Sequence, residues 1–304
     1  MTAIAKQHLH LTQRLMQIRK VYPTIWKHIE QLRKLKGNQT ALEEFTLVRS
    51  DWADWPDWCY VPVALYQSFV RKQMGLKDVN ARISNEIHDS ASALGIFCNW
   101  SATQGIYQFD DNLFNEVIAK PFNEVLAKDI FTKLPQHSIY LDIPNLNATD
   151  LSKKAVGVYA QLEYNYQLKQ DQIVFGFDYI KGTYNIALAL SGQSVENALR
   201  HTVINAMGCG KIDPNDVDGM FDTLLPSIKI VISLVAYLCR NKSVCHRRHP
   251  ITKLDTAEKI ISQFCPIRPV YWDIKTLKTE TENNHTFNLT NIGEAAFVRT
   301  IMSS

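Results

Sequence analysis

The chain has 304 residues, which is enough for one or two domains with a sizeable hydrophobic core. Hydrophobic residues at 46% and charged residues at 21% exclude a fibrous repeat and wholesale disorder. A net charge of +3 does not by itself indicate a nucleic-acid-binding protein, although an uneven distribution of charge could still create a basic surface.

A long amphipathic helix is predicted near the start of the chain. Apolar residues recur there at steps of three and four, and Pro23 should kink or divide the helix. The outer face is basic, because Glu30 is the only acid in this segment. Two interpretations stay open, an ordinary solvated face or a contact with RNA, the ribosome or an acidic partner. The candidate contact residues are Arg14, Arg19, Lys20, Lys27, Arg33 and Lys34, with Arg247 and Arg248 of a later basic loop.

An aromatic octapeptide, WPDWCYVP at residues 55–62, follows this helix. Its rings are typical of a core corner or hinge, since large rings dominate burial and prolines fix turns. With Asp57 nearby, Trp55 and Trp58 could instead form a surface that grips a peptide or a base. Two further helices are predicted after it, through VALYQSFVRKQ and over residues 81–97, so the first third of the chain is expected to be helical.

Five strand-like segments come next, rich in aromatic and β-branched residues and separated by turn formers: GIYQFD, SIYLDI, VGVYAQLEYN, QIVFGFDYI and TYNIALAL. One helical spacer, DDNLFNEVIAK, lies among them, and the last three are close enough for an antiparallel meander. Gly192 and Ser194 then mark a turn and an N-cap before a helix, and a long apolar helix is predicted over residues 216–240. A polar, irregular tail with a possible helix at TAEKIISQF should follow.

The predicted fold class is α+β, a mostly antiparallel sheet of about five strands flanked by N-terminal and C-terminal helices. We divide the chain into a helical region at residues 1–98, a β-rich core at 99–192 and a helical region with an irregular tail at 193–304, together one compact unit. No apolar signal segment is evident near the start, and the apolar run IKIVISLVAYLC is too short to span a bilayer. Six dispersed cysteines fit free thiols, so we expect a cytoplasmic protein without a membrane partner.

Common catalytic and nucleotide-binding motifs are absent from the sequence, including the P-loop, the dinucleotide fingerprint, G-x-S-x-G and H-E-x-x-H. Cys239, Cys245, His246 and His249 could hold zinc, but no paired C-x-x-C accompanies them, so we predict neither a metal nor a cofactor. Acids also stand beside aromatic residues in the predicted strands, notably Asp110, Asp142, Glu163 and Asp178. Such a set could act in general acid–base catalysis or could bind a cationic peptide.

Three motifs in a fixed order carry a family resemblance. Residues 100–110 read W-x3-QGIYQFD, residues 133–143 read KLP-x3-IYLDI, and residues 191–195 read SGQSV. An LLP then precedes an apolar helix that ends in LC. This series, over about residues 95–240, resembles the second family of type V-A anti-CRISPR proteins, which are inhibitors borne by phages and plasmids. The motif positions are Trp100, Gly105, Tyr107, Gln108, Asp110, Pro135, Tyr140, Asp142, Ser191, Gly192, Gln193 and Ser194.

The resemblance implies a function as well as a family. Such proteins lower production of the type V effector nuclease by recognising its N-terminal segment at the ribosome and promoting loss of the message, without an enzymatic step. The implied partner is the nascent polypeptide, with the ribosome or the message as further candidates, in the cytoplasm of a bacterial host. This chain departs from the family where Gln136, His137 and Ser138 replace an acid, a tryptophan and a cysteine, which puts the target's identity in doubt.

Rings and acids together give the candidate peptide-binding set, because a sheet can hold an unfolded segment through main-chain hydrogen bonds while aromatic pockets read its side chains. The set is Trp55, Asp57, Trp58, Trp100, Tyr107, Asp110, Tyr140, Asp142, Tyr159 and Glu163. An alternative is an RNA-directed nuclease that uses Asp110 or Asp142. Another is a nucleic-acid-binding regulator of a mobile element, which would bind through the N-terminal lysines and arginines.

Overall fold

The structure is a computed structural model, and it describes nine stretches of the chain. They are residues 3–46, 54–76, 85–143, 155–166, 168–179, 182–208, 213–241, 245–247 and 270–275. Side chains are described in these stretches except at residues 3–9, 85, 86 and 245–247.

The N-terminal region is helical, as predicted. Pro23 divides the first amphipathic segment, because its ring cannot continue a helix and it has no N–H to donate. The five helices of this region are α1 (Ala3–Val21), α2 (Ile25–Lys34), α3 (Gln39–Thr46), α4 (Val63–Gln73) and α5 (Asn85–Ser101). The sequence VALYQSFVRKQ forms α4 with the predicted bounds.

A single sheet follows, and it contains all five predicted strands and two more. Its strands are β1 (Gly105–Phe109), β2 (Ser138–Leu141), β3 (Gly157–Asn165), β4 (Gln170–Tyr179), β5 (Gly182–Ala189), β6 (Cys245–Arg247) and β7 (Val270–Ile274). The spatial order is β5-β4-β3-β2-β1-β7-β6. β1 runs parallel to β2 and β7, and the other pairs are antiparallel, so the predicted mostly antiparallel α+β fold is confirmed.

Four more helices belong to the second half of the fold. Two short ones connect β1 to β2, namely α6 (Asp111–Ala119) and α7 (Lys128–Phe131). After β5, Gly192 turns the chain at φ +76°, and the Ser194 hydroxyl caps α8 (Val195–Gly208) by accepting from Asn197 N at 3.2 Å. A 3-10 turn at Pro214–Asp216 leads into α9 (Val217–Arg240).

Both faces of the sheet are covered, which makes three layers. On β3, Val158, Ala160 and Leu162 pack in a core with the buried side of α9, and Tyr159 points to the opposite face with α1 and α5. This alternation is the two-residue period of a strand that is buried on both sides. A further core cluster joins α2, α4, α5 and the aromatic octapeptide.

The apolar helix α9 is a core helix, as predicted. Together with the turn before it, α9 is the one helix of the described residues that is long and apolar enough to cross a membrane. However, 61% of its most apolar window is buried inside the protein. Ile228, Val231, Leu234 and Leu238 are each 0% exposed and pack on the sheet. Burial explains the composition without a membrane.

The prediction of an irregular tail is wrong at residues 270–275, because VYWDI forms β7 there and pairs with β1 in the sheet. Parallel pairing with β1 depends on residues more than 160 positions away, and local sequence gives no signal of that contact. The possible helix at TAEKIISQF lies outside the described residues, and the division into three regions stays a prediction.

Candidate functional site

Three rings of the candidate set are sealed in the core. Trp100, Tyr140 and Tyr159 are each 0% exposed. Tyr140 and Tyr159 meet edge to face with ring centroids 4.7 Å apart, and the Trp100 ring lies 5.8 Å from that of Tyr159. The indole Nε1 of Trp100 donates to the carbonyl oxygen of Gly105 at 2.9 Å, so its polar atom is also satisfied inside the protein.

Trp55 and Tyr107 are core residues as well. Trp55 is 2% exposed and donates from Nε1 to the carbonyl oxygen of Tyr60 at 3.3 Å. Tyr107 is 1% exposed and stacks on Trp272 of β7, with centroids 6.0 Å apart. All five rings are therefore buried, four of them beside the sheet under helices and Trp55 in the cluster of α2, α4 and α5, and their predicted contact with a peptide stays a prediction.

Glu163 is buried too, and it has a defined structural role. Its Oε1 accepts a hydrogen bond of 2.8 Å from the backbone N of Val63, the first residue of α4, so the carboxyl group caps that helix from β3. Its Oε2 has no hydrogen-bond partner among the described residues. Burial raises the pKa of Glu163 to about 8, and the hydrogen bond from Val63 opposes this only weakly.

The aromatic octapeptide is divided between core and surface. Trp58 is half-buried and packs against two of the core clusters, and the Asp57 side chain is fully exposed and forms an ion pair with Lys36. The ammonium of Lys128 lies 5.5 Å from the centre of the Trp58 ring, a cation–π contact. Of the two interpretations, the core one fits Trp55, whereas Asp57 is exposed and Pro56, Trp58 and Tyr60 are partly exposed.

Asp110 caps α6, with its Oδ1 accepting from Leu113 N at 2.9 Å. Replacing Asp110 with alanine is expected to lower the free energy of unfolding by about 1 kcal/mol, and asparagine should restore most of the loss, because both Asp and Asn cap helices well. Urea titration measures both changes. Asp111→Ala is the control, since its side chain belongs to the first turn and is not the capping group.

A polar row crosses the sheet beside Asp142. The Gln108 side chain donates a hydrogen bond to Asp142, and Gln108 pairs in register with Asp273 of β7. All three side chains are partly exposed. Sequence reasoning found Asp142 but missed Asp273, because the position of β7 in the sheet was not recognised. The row could bind a cation or a cationic side chain.

The other end of the sheet has an open edge. β5 is the terminal strand, and none of the described residues forms a strand on its outer side. From Gly182 to Asn185 the strand is partly exposed. Farther along, the Thr202 hydroxyl of α8 donates to the carbonyl oxygen of Ala187 at 2.6 Å. An edge strand of this kind can accept another chain through main-chain hydrogen bonds.

The predicted basic face of the N-terminal helices is present, except at Arg14. Arg14 faces inward: its side chain is 12% exposed, and its Nε lies 3.7 Å from Asp178 Oδ1. Arg14 is therefore engaged inside the protein, and its contact with nucleic acid stays a prediction. The other predicted contacts on these helices, Arg19, Lys20, Lys27, Arg33 and Lys34, are exposed. The Arg247 side chain and the whole of Arg248 lie outside the described residues.

The three cysteines whose side chains the structure describes, Cys59, Cys98 and Cys239, are buried free thiols. Cys239 is buried in α9, and its Sγ contacts the carbonyl oxygen of Phe131 at 3.9 Å. Burial raises the pKa of both Cys59 and Cys98 well above that of a free thiol. The side chains of Cys245 and His246, and all of His249, lie outside the described residues, so the zinc hypothesis is untested.

Comparison with known proteins identifies the family. The family model for AcrVA2-like proteins, described as the anti-CRISPR type V subtype A2 family, matches residues 107–275. No curated protein sequence matches the chain. A crystal structure of AcrVA2 aligns with 18% sequence identity and a TM-score of 0.47, covering 87% of this chain and 83% of that one. Because the family model matches more than half of the chain, the protein belongs to the type V subtype A2 family of anti-CRISPR proteins and is an anti-CRISPR inhibitor.

Proposed function

We propose that the protein inhibits a type V CRISPR system by binding the N-terminal segment of the effector nuclease as it leaves the ribosome, and that this binding leads to loss of the message. The protein itself carries out no catalytic step in this proposal. Membership of the type V subtype A2 anti-CRISPR family is the observation that carries it.

The open edge of β5 supports peptide capture. A nascent segment is unfolded, so its main-chain N–H and C=O groups are free to pair with an edge strand. Between Gly182 and Asn185 this edge is partly exposed. Thr183 of this stretch pairs across the strands with the buried Asp178 of β4. Strand addition there requires no reactive group in this chain.

Capture of the nascent segment can be tested directly with stalled ribosomes. Ribosomes stalled on the effector's N-terminal segment should be enriched by the tagged protein over ribosomes that carry a scrambled segment of equal length. Equal recovery of the two would refute the proposed target. Removal of the nascent chain with puromycin is the control for binding to the ribosome alone.

The exposed basic face of α1 and α2 supports a second, electrostatic contact with RNA. Replacing Lys20, Lys27 and Lys34 together with glutamate should weaken binding to ribosomes or single-stranded RNA by tenfold or more. The slope of log affinity against log salt should fall by about 0.7 for each phosphate that the variant no longer neutralises. Binding at several salt concentrations gives both quantities. The control makes the same charge change at exposed lysines elsewhere, namely Lys120, Lys133 and Lys275.

The polar row of Gln108, Asp142 and Asp273 favours one alternative, a nuclease that cleaves the transcript itself. The two carboxylates of the row, Asp142 after β2 and Asp273 in β7, lie on either side of Gln108 in β1, and carboxylates that lie close together can bind a catalytic metal. Purified protein incubated with labelled message and Mg²⁺ should leave the RNA intact if the proposal is correct. Cleavage that is lost in Asp142→Asn but kept in Asp57→Asn, an exposed acid outside the row, would instead establish an enzyme.

A further inference from the structure

Helix α1 covers the sheet face that holds the buried rings. Its Leu11 and Leu15 are 0% and 2% exposed, and they pack in one cluster with Trp100, Tyr140 and Tyr159. The two leucines are four residues apart, so they lie on one side of the helix. The surface that the rings would present to solvent is therefore occupied by a segment of the same chain.

Two polar side chains of α1, those of His10 and Arg14, contact the same face. His10 Nε2 lies 2.8 Å from Asp178 Oδ2, and the Arg14 guanidinium approaches Asp178 Oδ1 and donates to the carbonyl oxygen of Tyr179. Asp178 is 0% exposed, and the Tyr140 hydroxyl donates to its Oδ2 at 3.3 Å. Like the leucines, His10 and Arg14 are four residues apart. This face of the sheet thus binds an arginine and an imidazole beside two aliphatic side chains.

The polar fit of α1 to this face is incomplete. Several buried polar atoms at α1 or on this face of β3–β5 have no hydrogen-bond partner among the described residues: Thr12 Oγ1, Tyr159 Oη, Thr183 Oγ1 and Asn185 Oδ1. Such groups would gain hydrogen bonds if water or a better-matched ligand replaced the helix. The stabilisation from the apolar packing of α1 is thus partly offset by the cost of burying these polar groups without hydrogen bonds.

We propose that α1 is a displaceable cover, and that the face of β3–β5 beneath it is a binding groove for a peptide segment with one arginine or lysine and two aliphatic residues. Movement of α1 would expose Asp178 and the side of the ring cluster that Leu11 and Leu15 cover, beside the open edge of β5, while α5 stays packed against Tyr159. An incoming segment could then place a cation on Asp178, bury its aliphatic side chains against the rings and pair with the strand edge. This inference rests on the proposed function only in naming a nascent peptide as the natural ligand.

The sequence of α1 supplies the probe for the test. A synthetic, fluorescein-labelled peptide of residues 3–21 is titrated with the full chain, and fluorescence anisotropy reports binding. His10→Ala/Arg14→Ala weakens the hold of the chain's own helix, so this variant should bind the peptide about tenfold more tightly than the unaltered protein does. Gln13→Ala/Gln17→Ala, at exposed positions of α1 with the same spacing, should bind like the unaltered protein. Adding Asp178→Asn to the first variant should remove the gain.

Hydrogen exchange of the unaltered chain gives a second readout that does not depend on whether any variant folds. Amides of α1 should exchange faster than those of β3 and β4, through an opening that leaves the sheet intact. Exchange of α1 only together with β4, or no tighter peptide binding by a folded His10→Ala/Arg14→Ala variant, would overturn the inference. Failure of the stalled-ribosome experiment would remove the nascent chain as ligand without changing either of these results.

Discussion

Between about pH 6.5 and pH 8, the free energy of unfolding of the unaltered protein is expected to fall by about 2 kcal/mol, and replacing Glu163 with glutamine should abolish this fall. Burial raises the pKa of this carboxyl group to about 8, from an ordinary value of 4.5. The folded state therefore holds a proton that the unfolded state has released. The stability that this proton contributes is complete below pH 4.5 and is lost as the pH rises through the folded pKa.

The pH interval is chosen because of a second buried group, His28. It lies between the rings of Phe45 and Phe69, and burial, with a smaller effect from Lys72, lowers its pKa to about 4. Its contribution to stability is complete above pH 6.5 and is lost as the pH falls toward 4, so it opposes that of Glu163 in acid. Above pH 6.5, of these two groups only Glu163 makes the free energy of unfolding depend on pH.

Urea titrations at pH 6.5, 7.2 and 8 measure the effect. Glu163→Gln should give nearly constant stability over this range, because the amide can accept the hydrogen bond of Val63 without carrying a charge. Glu30→Gln is the control: Glu30 is exposed on α2 and forms an ion pair with Lys34. An unaltered pH slope in Glu163→Gln would show that the buried carboxyl is not the group that titrates.

Replacing Gly157 with alanine is expected to lower the free energy of unfolding by about 3 kcal/mol. A Cβ at this position would overlap the hydroxyl of Tyr140 and lie 2.6 Å from its Cε1. The Tyr140 ring cannot move aside, because Tyr159 and Trp100 enclose it and its hydroxyl is bonded to Asp178. Thermal or urea unfolding measures the loss.

Gly182→Ala is the matched control for Gly157→Ala. Gly182 also lies in a strand of the same sheet, but a Cβ there has no atom within 4 Å to meet. Its stability should change by less than about 1 kcal/mol. Tyr140→Leu removes the hydroxyl and the ring carbons that the new methyl group would strike, so the double variant should be less destabilised than the two single changes predict together. Additive losses would contradict the proposed overlap.

Much of the fold could be predicted from the sequence because its signals are local. The strands β1 to β5, the division of the first helix at Pro23 and the cap at Ser194 each follow from residue types within a few positions. β7 could not be found in this way, since it is stabilised by pairing with β1 across most of the chain length. Its five residues alternate weakly and stand in a polar region.

The candidate site was harder to predict, for a physical reason. Strand alternation assigns Tyr159 and Val158 to opposite faces of β3, but it does not say which face is covered. The covering helices α1 and α5 meet the rings only in the folded chain. Arg14 shows the same limit. A cation in a basic helix is predicted to be solvated, and its partner Asp178 lies 164 positions later in the sequence.

Reporter messages test most directly whether the inhibitor reads the peptide. One begins with the effector's N-terminal codons, a second carries synonymous codons for the same peptide, and a third is shifted in frame so that the RNA is nearly unchanged but the peptide differs. In cells that make the inhibitor, we predict loss of the first and second messages and survival of the third. Loss of the first and third with survival of the second would contradict peptide recognition and show that the RNA is read.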